Sequence, residues 1–124
     1  MAVMQSRDNR TFIAGEDLSA AQFKFVTLES DGQVDLADAA GENAIGVCLA
    51  GAAAGAAVTV CVTGSVMVEA GGVIAAGAQV QTGADGTALT AAAGDVVLGY
   101  AREAGVDGQI IEIEMIQGGN VVPA

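Results

Sequence analysis

Cys48 and Cys61, several close carboxylate pairs and a Gly-Ser step are the residues whose types and spacing could do chemistry. They sit in a chain of 124 residues that contains no histidine. That absence removes Ser-His-Asp and Cys-His arrangements, most zinc sites and the commonest general base. Neither cysteine has a nearby cation in the sequence to favour its thiolate. Both read as small buried side chains on paired strands, with a cross-strand disulfide as the alternative and metal ligation or nucleophilic chemistry behind it. Asp35 with Asp38, Glu112 with Glu114 and Glu16 with Asp17 could serve glycoside hydrolysis, which needs two carboxylates across a sugar cleft. Such clefts offer aromatic platforms, and there is no Trp here, so a solvated acidic surface is the better reading.

The weaker motifs reduce in the same way. Ser30–Asp35 looks like a calcium loop but lacks the ligand spacing and terminal Glu of an EF-hand. No Gly-rich run leads into the Lys of a phosphate loop. Gly64-Ser65 is the dipeptide at which pyruvoyl enzymes self-cleave, yet no Lys, Arg or Tyr constellation accompanies it. Lys24 lies in Gln22-Phe-Lys-Phe-Val26, mid-strand, with Phe23 and Phe25 on the opposite face; a biotinyl or lipoyl carrier needs its lysine at a hairpin tip. The expectation is no catalytic residue, no cofactor site and no metal site.

The elements around these residues read as strands. Ala-rich stretches carry Gly51, Gly55, Gly71, Gly72 and Gly77, and each glycine costs a helix interior about 1 kcal/mol. Alternating or β-branched runs occur at Gln22–Leu28, Ala44–Leu49, Val58–Thr63, Ser65–Val68, Ala78–Gln81, Asp95–Ala101 and Gln109–Ile116. Asp31-Gly32, Asp85-Gly86 and Asp107-Gly108 supply the positive φ of tight turns.

Gly41-Glu-Asn-Ala-Ile-Gly46 matches Gly94-Asp-Val-Val-Leu-Gly99, and Val58–Val62 matches Ile111–Met115, at a common offset of 53. The pattern predicts a small single-domain all-β sandwich or barrel built from two similar hairpin units. In it Ile45–Leu49 pairs with Val58–Val62, and Leu98–Ala101 with Ile111–Met115, the two hairpins packing face to face. The β domain spans 11–116, with the repeat at 31–62 and 85–115; residues 1–10 form an extended N-terminal arm and 117–124 a tail. Glu112 and Glu114 fall on a wet face, and the uncharged counterpart, Thr59, Cys61 and Thr63, suggests a face covered by another chain. Val73 and Ile74 read as an aliphatic pair buried in a loop.

Composition excludes further classes. The net charge of −11 cannot build the basic face that nucleic acid needs and is repelled by anionic membranes. No run reaches the roughly 20 apolar residues of a membrane span, and Met1–Arg10 lacks a signal peptide's apolar core, which points to synthesis in a cytoplasm. The core is made of small side chains, since hydrophobic residues are 52% of the chain but aromatics only 3%. A subunit cored this way gains stability by burying further surface in an assembly.

The order of these elements resembles the capsid decoration, or cement, proteins of tailed phages. The stretches that carry the resemblance are Gly15-Glu-Asp-Leu-Ser-Ala with Gln22–Leu28, Ala44–Leu49, Ala53–Val60 running to Gly64, Ala70–Gly77, and Val97–Ala101 closing on Gln109–Ile113. The resemblance implies a non-enzymatic structural protein of the virion that assembles, often as a homotrimer, on the major capsid protein at the outer surface of an expanded capsid. It implies no small-molecule substrate. Arg7 and Arg10, half of the positive charge, suggest an arm that pairs with capsid carboxylates. The competing reading is a virion surface binding module, such as a fibre or receptor-binding domain.

Overall fold

The computed structural model describes residues 5–116 and 121–122, with side chains from Asp8 onward. Every regular element among them is a strand: β1 (Gln5–Ile13), β2 (Phe25–Leu28), β3 (Val34–Leu36), β4 (Gly46–Cys48), β5 (Ala57–Glu69), β6 (Gln79–Thr82), β7 (Ala88–Thr90), β8 (Gly99–Ala101) and β9 (Ile110–Met115). They form one curled antiparallel sheet in the order β3-β2-β4-β5-β9-β8-β6-β7, with β1 on the other side of β5. The all-β expectation holds, and the expected pairings of the segments around β4 with β5 and around β8 with β9 are present.

The duplication extends further than the sequence pattern indicates. Phe25↔Val47 and Val26↔Gly46 on one side correspond to Gln79↔Tyr100 and Val80↔Gly99 on the other. Val47↔Cys61 corresponds to Tyr100↔Glu114. The first strand joins the scheme too, since Arg10↔Val60 and Phe12↔Val58 match Val66↔Ile113 and Val68↔Ile111. Unit 1 therefore runs from β1 to the first half of β5, and unit 2 from the second half of β5 to β9. One long strand closes the first unit and opens the second.

Turn chemistry repeats as well. In two of the three Asp-Gly turns the aspartate accepts from a backbone amide two residues on, Gln33 for Asp31 and Thr87 for Asp85, while Gly32 and Gly86 adopt φ of 83° and 81°. The Asp side chain fixes the turn and glycine takes the left-handed φ at no steric cost.

Two apolar clusters result. One belongs to unit 1 and is built on Leu18, Val26, Val34, Val58 and Val60. The other is shared: Phe25, Ala44, Val47 and Cys61 of unit 1 pack with Val66, Val68, Val80, Leu98, Ile111 and Ile113 of unit 2. The units are thus not two hairpins facing each other symmetrically; unit 1 turns its back onto the inner face of unit 2. Gly64, with φ of 99°, lies between Val58, Val60 and Val62 of the first cluster and Val66 and Val68 of the second.

Several expectations change in detail. Gln5–Arg10, expected as an extended arm, pairs with β5 as part of β1; its residues are all polar because Asp8 and Arg10 line an open groove rather than the core, and a strand without an apolar face shows no period in the sequence. Cys61 is buried, but the second unit of the same chain covers it rather than another chain. Glu112 is 4% exposed instead of wet, and its carboxylate is held 2.8 Å from the Arg102 guanidinium. Val73 is 80% exposed while Ile74 is buried, because the Ile74–Gly105 bridge turns only one of them inward. From the expected tail, Val121 bridges to Val96; 117–120 and 123–124 lie outside the described residues.

Lys24 is not mid-strand, because β2 begins at Phe25. Phe23 before it has φ of 64°. Its amide bonds the Cys48 carbonyl, as that of Gly77 bonds the Ala101 carbonyl, so phenylalanine here holds a left-handed position that unit 2 gives to glycine. A Cβ on Gly77 would meet nothing within 4 Å, so Gly77→Ala is expected to cost only the backbone term, about 1 kcal/mol, read from the midpoint of urea unfolding.

Candidate interaction surface

The potential nucleophiles are disarmed by their positions. Cys48 pairs across from Val60 and Cys61 across from Val47, so the two thiols are not opposite each other, and they belong to different clusters. Both are free, and burial pushes both thiols above their ordinary range. Each S–H donates to a carbonyl two residues on, Ala50 and Thr63 respectively. A neutral, hydrogen-bonded, buried thiol is a packing group.

The carboxylates are likewise occupied by structure. Glu16 accepts from the Leu36 amide and Asp17 from the Ser19 amide. Glu112 pairs with Arg102, which also approaches Glu114 at 3.8 Å. Among the described residues no group of three or more His, Cys, Asp and Glu is arranged to hold a metal ion.

Asp35 is the exception, with a buried Oδ1 that has no hydrogen-bond partner. Desolvation first, then the charges of Glu16, Glu29, Asp31 and Asp38, push its carboxyl above the ordinary 3.8. A raised folded-state value means that the ionised form costs stability at neutral pH, and that the cost fades as pH falls through the raised value. Asp35→Asn is therefore expected to raise the melting temperature at pH 7, with the advantage closing as pH drops and gone below about 3.8.

A groove of about 620 Å³ runs along unit 1, lined by Asp8, Arg10, Thr11, Phe12, Ile45, Val62 and Thr63. Strand β1 positions its polar edge: Arg10 Nε and Nη2 donate to Asp8 Oδ2 at 3.1 and 3.0 Å. Ile45 also lines a neighbouring hollow of about 360 Å³ that includes Leu28, Glu29 and Glu42. Leu28 is 49% and Ile13 41% exposed. Of the two expected contact residues, Arg10 lies in this groove; Arg7 lies in β1, and its side chain is outside the described residues. Sequence reasoning missed Phe12, Ile45 and Leu28, whose exposure follows only from the arrangement of the units.

The counterpart of this surface in unit 2 is covered. Where unit 1 has Arg10, Phe12, Leu28 and Ile45, unit 2 has Val66, Val68, Thr82 and Leu98, none more than 2% exposed. Unit 1 provides the cover: the Gly41 amide bonds the Thr82 carbonyl and the Phe25 amide the Gly86 carbonyl. The groove is thus the inner face of unit 1, and among the described residues no element takes the covering position.

Comparisons with known proteins agree with this geometry. Residues 4–114 match the profile of the phage cement protein family. No curated protein matches the chain. Among solved structures, the N base of head fiber gp8.5 of bacteriophage phi29 superimposes with a TM-score of 0.70 over 88% of this chain and 93% of that one, at 22% identity. That likeness is one of fold.

Proposed function

Since the chain belongs to the phage cement protein family, whose members are structural virion components on the outer surface of the capsid, we propose that it binds the expanded shell of its phage and reinforces it as a homotrimer. The family match over nearly the whole described chain carries this reading. The family is one of structural capsid proteins, not of enzymes, and the disarmed thiols and engaged carboxylates are in keeping with that. A small-residue core and an acidic surface suit a subunit that gains stability on a lattice.

Arg7 and Arg10 are the proposed capsid contacts. Because Gln5–Arg10 belong to β1, deleting 1–10 would remove a strand along with the charges. Arg7→Glu with Arg10→Glu leaves the ladder in place. The test is co-sedimentation with expanded, DNA-free capsids, using unexpanded shells as control. Saturable binding to expanded shells alone, at a fixed ratio to the major capsid protein, is expected. The double charge reversal is expected to weaken it at least tenfold. Equal binding by the variant would remove these arginines from the contact, and no binding to either shell would overturn the cement role.

A second reading is favoured by the likeness to the head fiber base: a virion surface module that presents a fibre or receptor-binding part. It predicts attachment to the head without any gain in shell stability, so the temperature at which decorated and bare capsids rupture separates the two.

A further inference from the structure

We propose that the open groove of unit 1 is filled by the back of unit 2 from a second copy of this chain, in a head-to-tail contact. This names the surfaces of the oligomer proposed above, but it needs no capsid and is tested without one.

The argument comes from the duplication. The molecule contains one worked example of how an inner face of this unit is covered: the back of unit 1, carrying Phe25, Ala44, Val47 and Cys61, packs into the face of unit 2. Among the described residues, two surfaces then have no second unit packed on them. One is the inner face of unit 1, the groove of Arg10, Phe12, Ile45 and Val62. The other is the back of unit 2, where the ladder puts Gln79, Tyr100 and Glu114 at the positions of Phe25, Val47 and Cys61. Both lie on the same chain, so the face left open on one copy and the back left free on the next are related as the covered pair is within the chain.

The residue types have shifted together. Arg10 in the groove replaces Val66 of the covered face, and Glu114 on the back replaces Cys61 of the covering one. Tyr100 is 38% exposed and offers a large apolar ring with a polar tip, the amphipathic type enriched at interfaces. An internal contact that never meets water can be wholly apolar; a contact between separate copies must leave both surfaces soluble before they meet. A cation on one side and a carboxylate on the other also set polarity, discouraging groove-to-groove pairing. At the rim the Gly94 amide already bonds the Val122 carbonyl, as that of Gly41 bonds Thr82, so the contact centres on Tyr100 and Glu114. Because the two surfaces differ, the association is heterologous and closes as a ring or runs on as a filament.

The experiment uses exposed positions, so that folding is spared. A groove variant carries Thr11→Glu and Leu28→Glu, leaving the proposed capsid contacts Arg7 and Arg10 untouched; a back variant carries Gln79→Glu and Tyr100→Glu. Sedimentation equilibrium of the full chain is expected to give an oligomer for the unaltered protein. Each variant alone should run as a monomer, with association weakened at least tenfold. Mixed in equal amounts, the two variants should form a dimer and nothing larger, because one intact groove then meets one intact back. Normal thermal unfolding of each variant shows that the fold survives; should either lose it, Leu28→Ala and Tyr100→Ala replace them. A monomeric unaltered protein overturns the proposal, as does a variant of unchanged mass or a mixture that fails to dimerise. Capsid binding is scored separately, so a failure here leaves that reading standing or falling by co-sedimentation.

Discussion

Phe25→Ala is expected to lower the stability of the fold by about 3–5 kcal/mol, the usual cost of removing a fully buried phenylalanine. Against a total of roughly 5–15 kcal/mol for a domain, that leaves the protein marginal, with a melting temperature lower by on the order of 10–20 °C. The side chain is 0% exposed, and it heads the fully buried residues by size. It also reaches beyond its own unit, lying in the shared cluster with Val66, Leu98 and Ile113. Neighbours such as Ala37, Ala44 and Ala88 in the same cluster are too short to collapse into the space, so the cavity term adds to the transfer term. The duplication supplies its own control. Gln79 occupies the same ladder position in unit 2 and is exposed, so Gln79→Ala is expected to fall within about 0.5 kcal/mol of the unaltered protein. Thermal unfolding of the two variants side by side tests whether the shared core depends on the back of unit 1. A loss below about 1 kcal/mol for Phe25→Ala would mean that it does not.

The sequence makes the repeat legible where the backbone demands the same residue twice. Gly46 and Gly99 recur because each strand there lies hard against its neighbour, and Asp31-Gly32 and Asp85-Gly86 recur because both turns use the same side-chain-to-amide bond. The equivalence of β1 with the second half of β5 is not legible in this way. Asn9-Arg10-Thr11-Phe12 and Ser65-Val66-Met67-Val68 share a ladder register but not an environment, since one lines an open groove and the other a sealed core. Val34–Leu36 and Ala88–Thr90 are too short to show a period, and they become strands by pairing with β2 and β6. The groove is visible in the sequence only through Arg10. Its apolar lining looks like ordinary core residues until the fold shows that no described element covers it. Glu112 illustrates the same limit from the other side: alternation marks it as facing away from the core, yet Arg102 folds over it and buries it.

Gly46→Ala and Gly99→Ala are expected to cost about 2–4 kcal/mol each, combining overpacking strain of about 1–3 kcal/mol with the loss of a ladder hydrogen bond worth about 1. A Cβ at Gly46 would overlap the Cys61 carbonyl oxygen, and one at Gly99 the Glu114 carbonyl oxygen. These are matching atoms on matching strands, β5 and β9. Backbone cannot step aside as a flexible side chain can, so the two strands must separate or the short strand must detach. Neither glycine has a positive φ; the requirement is for space alone, the reverse of Gly77, where the space is open and only φ demands glycine. Three single alanine variants therefore separate the two reasons for a glycine in one protein: a loss of about 1 kcal/mol at Gly77 against about 2–4 at Gly46 and Gly99. Urea midpoints, with unchanged slopes, measure the difference. The close approach also sets the two neighbouring side chains of unit 1, since Gly46 is flanked by Ile45 in the groove and Val47 in the shared core. Pushing β4 away from β5 shifts both at once. If the groove receives the back of a second copy, Gly46→Ala should weaken self-association beyond what its loss of stability explains, whereas Gly99→Ala, on the strand that carries Tyr100, should do so from the opposite surface.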